Sequence, residues 1–297
     1  MRNHRRKFLK TSLKAAIGLG ILGAGGAYFM HNRAYTPTTS QEQTMKPQLT
    51  QTAKQRFETL FGSTDVPLAQ SDPEFFSNYV NFAFDEVPSH SKLELQENLM
   101  IILASLVAIP ALSEFKAIMQ AALKNNVSPL AIKEIIYQAT PYVVSGNSID
   151  FINAANEIFT QHNITLPLAS QATTTRENRQ QKGLEIQRMI FGEAIDKGNA
   201  AAPEDIKHIR TFLSANCFGD YYTRGGLSLP FRELLTFVYI LSLGGADAQV
   251  KAHIAGNLKI GNDRERLIAV VTALVPYIGY PRSLNALSAL DEIAPPK

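Results

Sequence analysis

A single cysteine, Cys217, occurs in 297 residues. One thiol excludes an intrachain disulfide and a Cys-x-x-Cys redox pair; the ordinary expectation is a small buried apolar side chain. No cluster of Cys, His, Asp and Glu has metal-ligand spacing, and no glycine-rich phosphate loop occurs, so neither a metal nor another cofactor is expected. Alternating strand patterns are nearly absent. Acidic residues are missing from the first 40 positions, which hold seven basic ones. The whole chain has 29 basic and 26 acidic residues, so beyond residue 40 the balance is 22 against 26. The formal charge of +3 is therefore a property of the N-terminus, and the acidic remainder has no surplus of cations for a nucleic-acid partner. A content of 45% apolar and 19% charged residues is that of a packed soluble protein.

The N-terminus reads as an address. Arg5-Arg6-Lys7-Phe8-Leu9-Lys10 resembles the twin-arginine export consensus, and the uncharged run Ala15 to Met30 follows it. That run is 16 residues with five glycines, short and weakly apolar for a membrane span but suited to a signal peptide. Residues 1–31 are read as a twin-arginine-type signal segment, and the protein as periplasmic or exported. The alternative is a basic tail before a membrane anchor, so membrane contact is expected only through this segment if it is not cleaved. Residues 32–51, rich in Thr, Gln, Ser and Pro, read as a flexible linker.

The rest of the chain is a repeat. Ala122-Leu123-Lys124, Pro141-Tyr142 and Glu157-Ile158 return 135 residues later as Asn257-Leu258-Lys259, Pro276-Tyr277 and Glu292-Ile293. Upstream, Phe61-Gly62, Pro73-Glu74 and Phe82 return after 130 residues as Phe191-Gly192, Pro203-Glu204 and Phe212. Two related units follow, 52–162 and 180–293, with a small insertion in the second. A polar stretch from Ala169 to Arg179 separates them. His253 stands where the first unit has Ile118.

Helical signals fill both units. Leu95, Leu99, Ile102, Leu103 and Leu106 share helical spacing and Pro110 stops the run. Ser128-Pro129 fits an N-cap with proline at the first helical position. Asn262-Asp263-Arg264-Glu265 resembles a capping box, and Gly244-Gly245 divides the Phe231–Leu243 helix from the one carrying His253. The expected fold is all-α, about six helices per unit.

One stretch carries chemistry. It runs Thr223-Arg224-Gly225-Gly226-Leu227-Ser228-Leu229-Pro230-Phe231-Arg232-Glu233-Leu234-Leu235, then Gln249-Val250-Lys251-Ala252-His253-Ile254-Ala255-Gly256, then Tyr277-Ile278-Gly279-Tyr280-Pro281. This resembles the carboxymuconolactone decarboxylase family, which includes the alkylhydroperoxidase D-like proteins. The resemblance covers most of 180–293 and, more weakly, 52–162. It implies an all-helical subunit that trimerises or forms larger rings, so a trimer of tandem chains is expected, with the active site near a subunit interface. It also implies a Glu and His proton relay, which falls on Glu233 and His253 here, with Glu233 near the expected carboxylate position and one residue from it at most.

The pair makes chemical sense by itself. Decarboxylating or isomerising an unsaturated lactone moves a proton to or from carbon, and a histidine held by a carboxylate can do this. Arg224 is the candidate cation for an acidic substrate. For each residue a plainer role competes: a packed histidine, a carboxylate paired along its own helix, a turn arginine. The peroxidase branch has cysteines seven and four residues before the histidine, where this chain has Ala246 and Gln249, so thiol peroxidase activity is not expected. The first unit keeps Glu114 at the position of Gln249 but lacks the histidine, and reads as non-catalytic. The leading expectation is an exported enzyme acting on a small organic acid or lactone. The alternatives are a non-catalytic binding or assembly protein and, less favoured, a peroxidase-type antioxidant protein.

Overall fold

The computed structural model describes residues 47–296. The signal segment 1–31 and most of the linker 32–51 lie outside the described residues. The fold begins slightly before the sequence suggests: Thr50 caps the first helix through its side chain, 3.0 Å from the Ala53 amide, and Gln48 O accepts hydrogen bonds from Ser77 and Asn81.

The first repeat comprises α1 (Gln51–Phe61), α2 (Pro67–Ser71), α3 (Pro73–Asn81), a π-helical turn Phe82–Glu86, α4 (Val87–Ser91), α5 (Leu95–Ala108), α6 (Leu112–Lys124), α7 (Pro129–Val143) and α8 (Ser145–Gln161). The second comprises α9 (Arg179–Phe191), α10 (Ala194–Ala200), α11 (Lys207–Phe212), a π-helical segment Leu213–Tyr222, α12 (Leu229–Leu243), α13 (Asp247–Lys259) and α14 (Arg264–Ile293). No strand occurs among the described residues, so the protein is all-α. Short helices and a π-turn precede α5 and bring the first repeat to eight described α-helices, while the second has the expected six beside its π-helical segment.

Local chemistry sets the helix ends. Ser128 and Ser228 each place a hydroxyl on the amide three residues on, at 3.0 and 3.4 Å, with proline in the first turn. Asp263 does the same for Arg266 at 2.8 Å. The polar stretch between the repeats is polar because it exchanges hydrogen bonds with the second repeat. Thr173 and Thr174 donate to the carbonyls of Thr223 and Gly219, and Gln171 O accepts from the Gly225 amide.

The repeats share one continuous core. In the first, α5 is buried on every side through Leu99, Ile101, Ile102, Leu103, Leu106 and Val107; in the second, α12 is buried from Arg232 to Ser242. These two helices pack on each other, while α12 also rests on α7 and α5 on α14. Because α14 corresponds to α7 plus α8, the second contact is the first seen from the other repeat, which makes the body pseudo-two-fold. α14 is the one described helix long and apolar enough to cross a membrane. It is broken at Gly279, and Leu267, Val270, Val271 and Leu274 lie in the core, so packing accounts for its apolarity.

The break also exposes a strain. Gly279 has φ 77° and ψ 164°, a conformation close to exclusive to glycine. At the matching site the first repeat has Val144, with φ 66° and ψ 150°. A β-branched residue held there costs about 1–3 kcal/mol, and its side chain is 66% exposed, so no packing is lost on removing it. Val144→Gly is expected to stabilise the protein by about 1 kcal/mol after the greater chain entropy of glycine is deducted. Urea titration checks this; an unchanged or lower midpoint contradicts it.

Candidate functional site

α12 carries two adjacent charges although it has no wet face: Arg232 and Glu233 are both fully buried. Buried charges persist only when paired and hydrogen-bonded. About 100° apart on the helix, the two find partners in opposite directions.

Arg232 turns to the first repeat. Its Nη2 lies 2.9 Å from Glu134 Oε2 and its Nη1 2.7 Å from Gln138 Oε1, both on α7. The same guanidinium donates to the carbonyls of Arg224 and Gly225. Gln138 Nε2 returns a bond to Arg232 O at 2.6 Å, and Tyr239 OH donates to Ile135 O at 2.8 Å. Burial lowers the Arg232 pKa, and Glu134 opposes that effect.

Glu233 turns to α13. Its Oε1 lies 2.6 Å from His253 Nδ1, and its Oε2 accepts from Tyr222 OH at 2.6 Å. Asn257 fixes the backbones of both helices, donating to Glu233 O at 3.1 Å and to His253 O at 2.7 Å. Asn262 in turn holds Asn257 Oδ1 at 2.7 Å. Gly256 makes room for the pair, because a Cβ there would stand 2.6 Å from Glu233 Oε1. Phe191 at the end of α9 meets the imidazole edge-on, centroids 5.3 Å apart. The His253 side chain stays 11% exposed, against 0% for Glu233. One ring nitrogen is therefore held by the carboxylate and the ring keeps a narrow opening to the outside.

Behind Glu233 runs a hydrogen-bonded chain that single-residue reading missed. Tyr222 OH is within hydrogen-bond distance of Thr236, Thr236 Oγ1 lies 3.3 Å from Tyr142 OH, and Tyr142 OH lies 3.3 Å from Cys217 Sγ. Burial raises both tyrosine pKa values well above the usual phenol range, so both remain neutral hydrogen-bonding phenols. Cys217 is buried as expected, and burial pushes its thiol up to about 12. Tyr142 belongs to the first repeat, which thus reaches the Glu233 surroundings instead of serving only as remote scaffold. Tyr222 escaped notice because it sits on a π-helical segment, where helical spacing fails.

Arg224 is placed differently. Its Nε lies 3.1 and 3.0 Å from Glu134 Oε1 and Oε2, its Nη2 lies 2.8 Å from Oε1, and its guanidinium sits over the Tyr137 ring at 5.2 Å. It lines a cleft of about 680 Å³ formed mainly by α7, α8 and residues 166–170. His253 and Glu233 do not line that cleft. The structure thus joins Glu233 to His253 and directs Arg224 elsewhere. In the first repeat the corresponding positions are Asn98 and Ile118, and Glu114 accepts from Tyr79 OH at 2.8 Å.

Two outcomes follow from these contacts. Glu134→Gln leaves the buried Arg232 guanidinium and the half-buried Arg224 short of their carboxylate and is expected to cost about 3–5 kcal/mol in chemical denaturation; a loss under about 1 kcal/mol would contradict the clasp. A thiol held up to about 12 is protonated at pH 8, so folded protein is expected to resist iodoacetamide at Cys217 while urea-unfolded protein is alkylated. Equal labelling in both states would contradict the burial.

Comparison with known proteins fits both halves of this geometry. The family model described as "Carboxymuconolactone decarboxylase family" matches residues 73–157 and again 208–292, more than half of the chain. The matches lie 135 residues apart, the register that sets His253 opposite Ile118. The 4-carboxymuconolactone decarboxylase of Acinetobacter baylyi is 25% identical over 118 residues, 39% of this chain and 87% of that protein. On the two family matches, the chain belongs to the carboxymuconolactone decarboxylase family, with two copies in tandem.

Proposed function

We propose that this protein is an enzyme of decarboxylase type acting on a small organic acid or lactone, with Glu233 and His253 as its acid–base pair. The observation that carries this reading is the 2.6 Å contact between a fully buried carboxylate and a histidine whose ring still reaches the exterior. A carboxylate on Nδ1 selects the tautomer with the proton on that nitrogen and stabilises imidazolium when Nε2 takes a second proton. In a decarboxylation the C–C bond to the carboxylate breaks and carbon dioxide leaves. The electron pair stays on carbon, delocalised into the conjugated carbonyl, until carbon takes a proton. Imidazolium His253 gives that proton from Nε2 and regains it from water, and in an isomerisation the same nitrogen removes and returns it. Tyr222 keeps the second oxygen of Glu233 occupied, so the carboxylate is oriented toward His253 in every state.

His253 opens to the exterior through a side chain 11% exposed, away from the cleft that Arg224 lines. The reading therefore includes a second copy of the chain closing the site, in a trimer of tandem units, and export through the Arg5-Arg6 signal. The competing reading is a binding protein on the same scaffold, favoured by one observation: the large cleft lies away from His253.

Turnover of 4-carboxymuconolactone and of simple β-keto acids separates the two. His253→Ala and Glu233→Gln are expected to lower kcat by about 10²–10⁴-fold with folding preserved. Equal rates in wild type and His253→Ala would overturn the mechanism, and absence of turnover by wild type would favour the binding reading.

A further inference from the structure

Lys133, on α7 in the first repeat, is only 6% exposed and has no carboxylate partner among the described residues. Its hydrogen-bond partner is a neutral one, Asn156 Oδ1 on α8, and its Nζ lies 5.8 Å from the ring centroids of both Tyr137 and Phe159. The nearest acid in sequence, Glu134, is already shared between Arg224 and Arg232. Burial lowers the ammonium pKa, as expected of a cation lacking an anion. Such an arrangement is costly unless something negative completes it.

Space for that anion is present. Lys133, Glu134, Arg224 and Asn156 line the cleft of about 680 Å³, a volume suited to a small molecule. Leu130, Ile152, Leu166 and Leu168 supply the rest of its wall. Its lining carries two cations, Lys133 and Arg224, against the single carboxylate of Glu134. The Tyr137 ring beneath Arg224 and Lys133 gives a flat apolar floor beside the charge.

We propose that this cleft is a second ligand site, distinct from the Glu233–His253 pair, that binds a carboxylate with a compact apolar body, the carboxylate seated on Lys133. The Lys133, Glu134 and Asn156 set that defines the site occurs in the first repeat and is not repeated in the second. The second repeat has Ile268 in place of Lys133 and Ala269 in place of Glu134, and Asp291, its counterpart of Asn156, pairs with Arg264. The repeat that lacks a catalytic histidine thus carries a binding function of its own. The mouth contributes Arg224, whose charge the sequence assigns to an acidic substrate and whose position assigns it here.

Isothermal titration of the full chain with benzoate and hexanoate tests this, with benzamide and hexanamide as neutral isosteres. Wild type and His253→Ala are expected to bind at least one of the two acids saturably, and neither amide measurably. Lys133→Met is expected to weaken acid binding at least tenfold. Ile152→Trp, which fills the cleft without touching a charge, is expected to do the same, so the test stands should Lys133→Met fold poorly. Binding of neither acid by wild type overturns the proposal. Unchanged affinity in Lys133→Met or Ile152→Trp overturns it too, as does loss of binding in His253→Ala, which would place the anion at the other site.

Discussion

Arg232 and Glu233 stand side by side on a helix with no face in water, and the rest of the structure is arranged around that constraint. An isolated charge in such a place costs several kcal/mol, so each must meet a partner, and consecutive helix positions cannot share one. Arg232 is therefore answered from the first repeat by Glu134 and Gln138, and Glu233 from the second by His253 and Tyr222. The contact that joins the repeats and the contact that holds the histidine are thus anchored one residue apart. A shift of α12 that loosened the clasp would move the carboxylate off the imidazole.

The duplication explains why one copy has the pair and the other does not. In the first repeat, Glu97 replaces Arg232 and bonds Arg266 at 2.8 Å, one helical turn from where strict symmetry would put the partner. The inter-repeat ion pair survives with its charges exchanged. Its neighbour is Asn98 in place of Glu233, facing a repeat in which Ile118 has replaced the histidine. Fully buried Ile118 fills its place by packing, whereas His253 needs a carboxylate, a phenol behind it and a glycine to admit that carboxylate. The α7–α8 face of the first repeat forms most of the Lys133 cleft.

Much of this was legible in the sequence, for identifiable reasons. Ser128-Pro129, Asp263 and Gly244 mark helix ends because capping is a local hydrogen-bond problem. The repeat offset located His253 because a substitution stands out against a copy of the same scaffold. The pairing of Glu233 with His253 needed two helices to pack, and only the family resemblance put them together beforehand. Tyr222 was hidden by the π-helical Leu213–Tyr222 segment, which alters which side chains share a face. Arg224, read as the cation for an acidic substrate, could not be given a direction from its sequence proximity to Glu233. Its guanidinium follows Glu134, 90 residues earlier. Val144 stands where the second repeat has Gly279, and its backbone angles show what that difference costs.

The central claim is that Glu233 holds His253 as the Nδ1-protonated tautomer, leaving Nε2 as the nitrogen that exchanges protons with a substrate. Nitrogen-15 NMR of the imidazole reads this directly. The account predicts that neutral His253 carries its proton on Nδ1, and that Glu233→Gln perturbs this nitrogen more than Nε2. A neutral ring protonated on Nε2, with a bare Nδ1 facing Glu233, would contradict it.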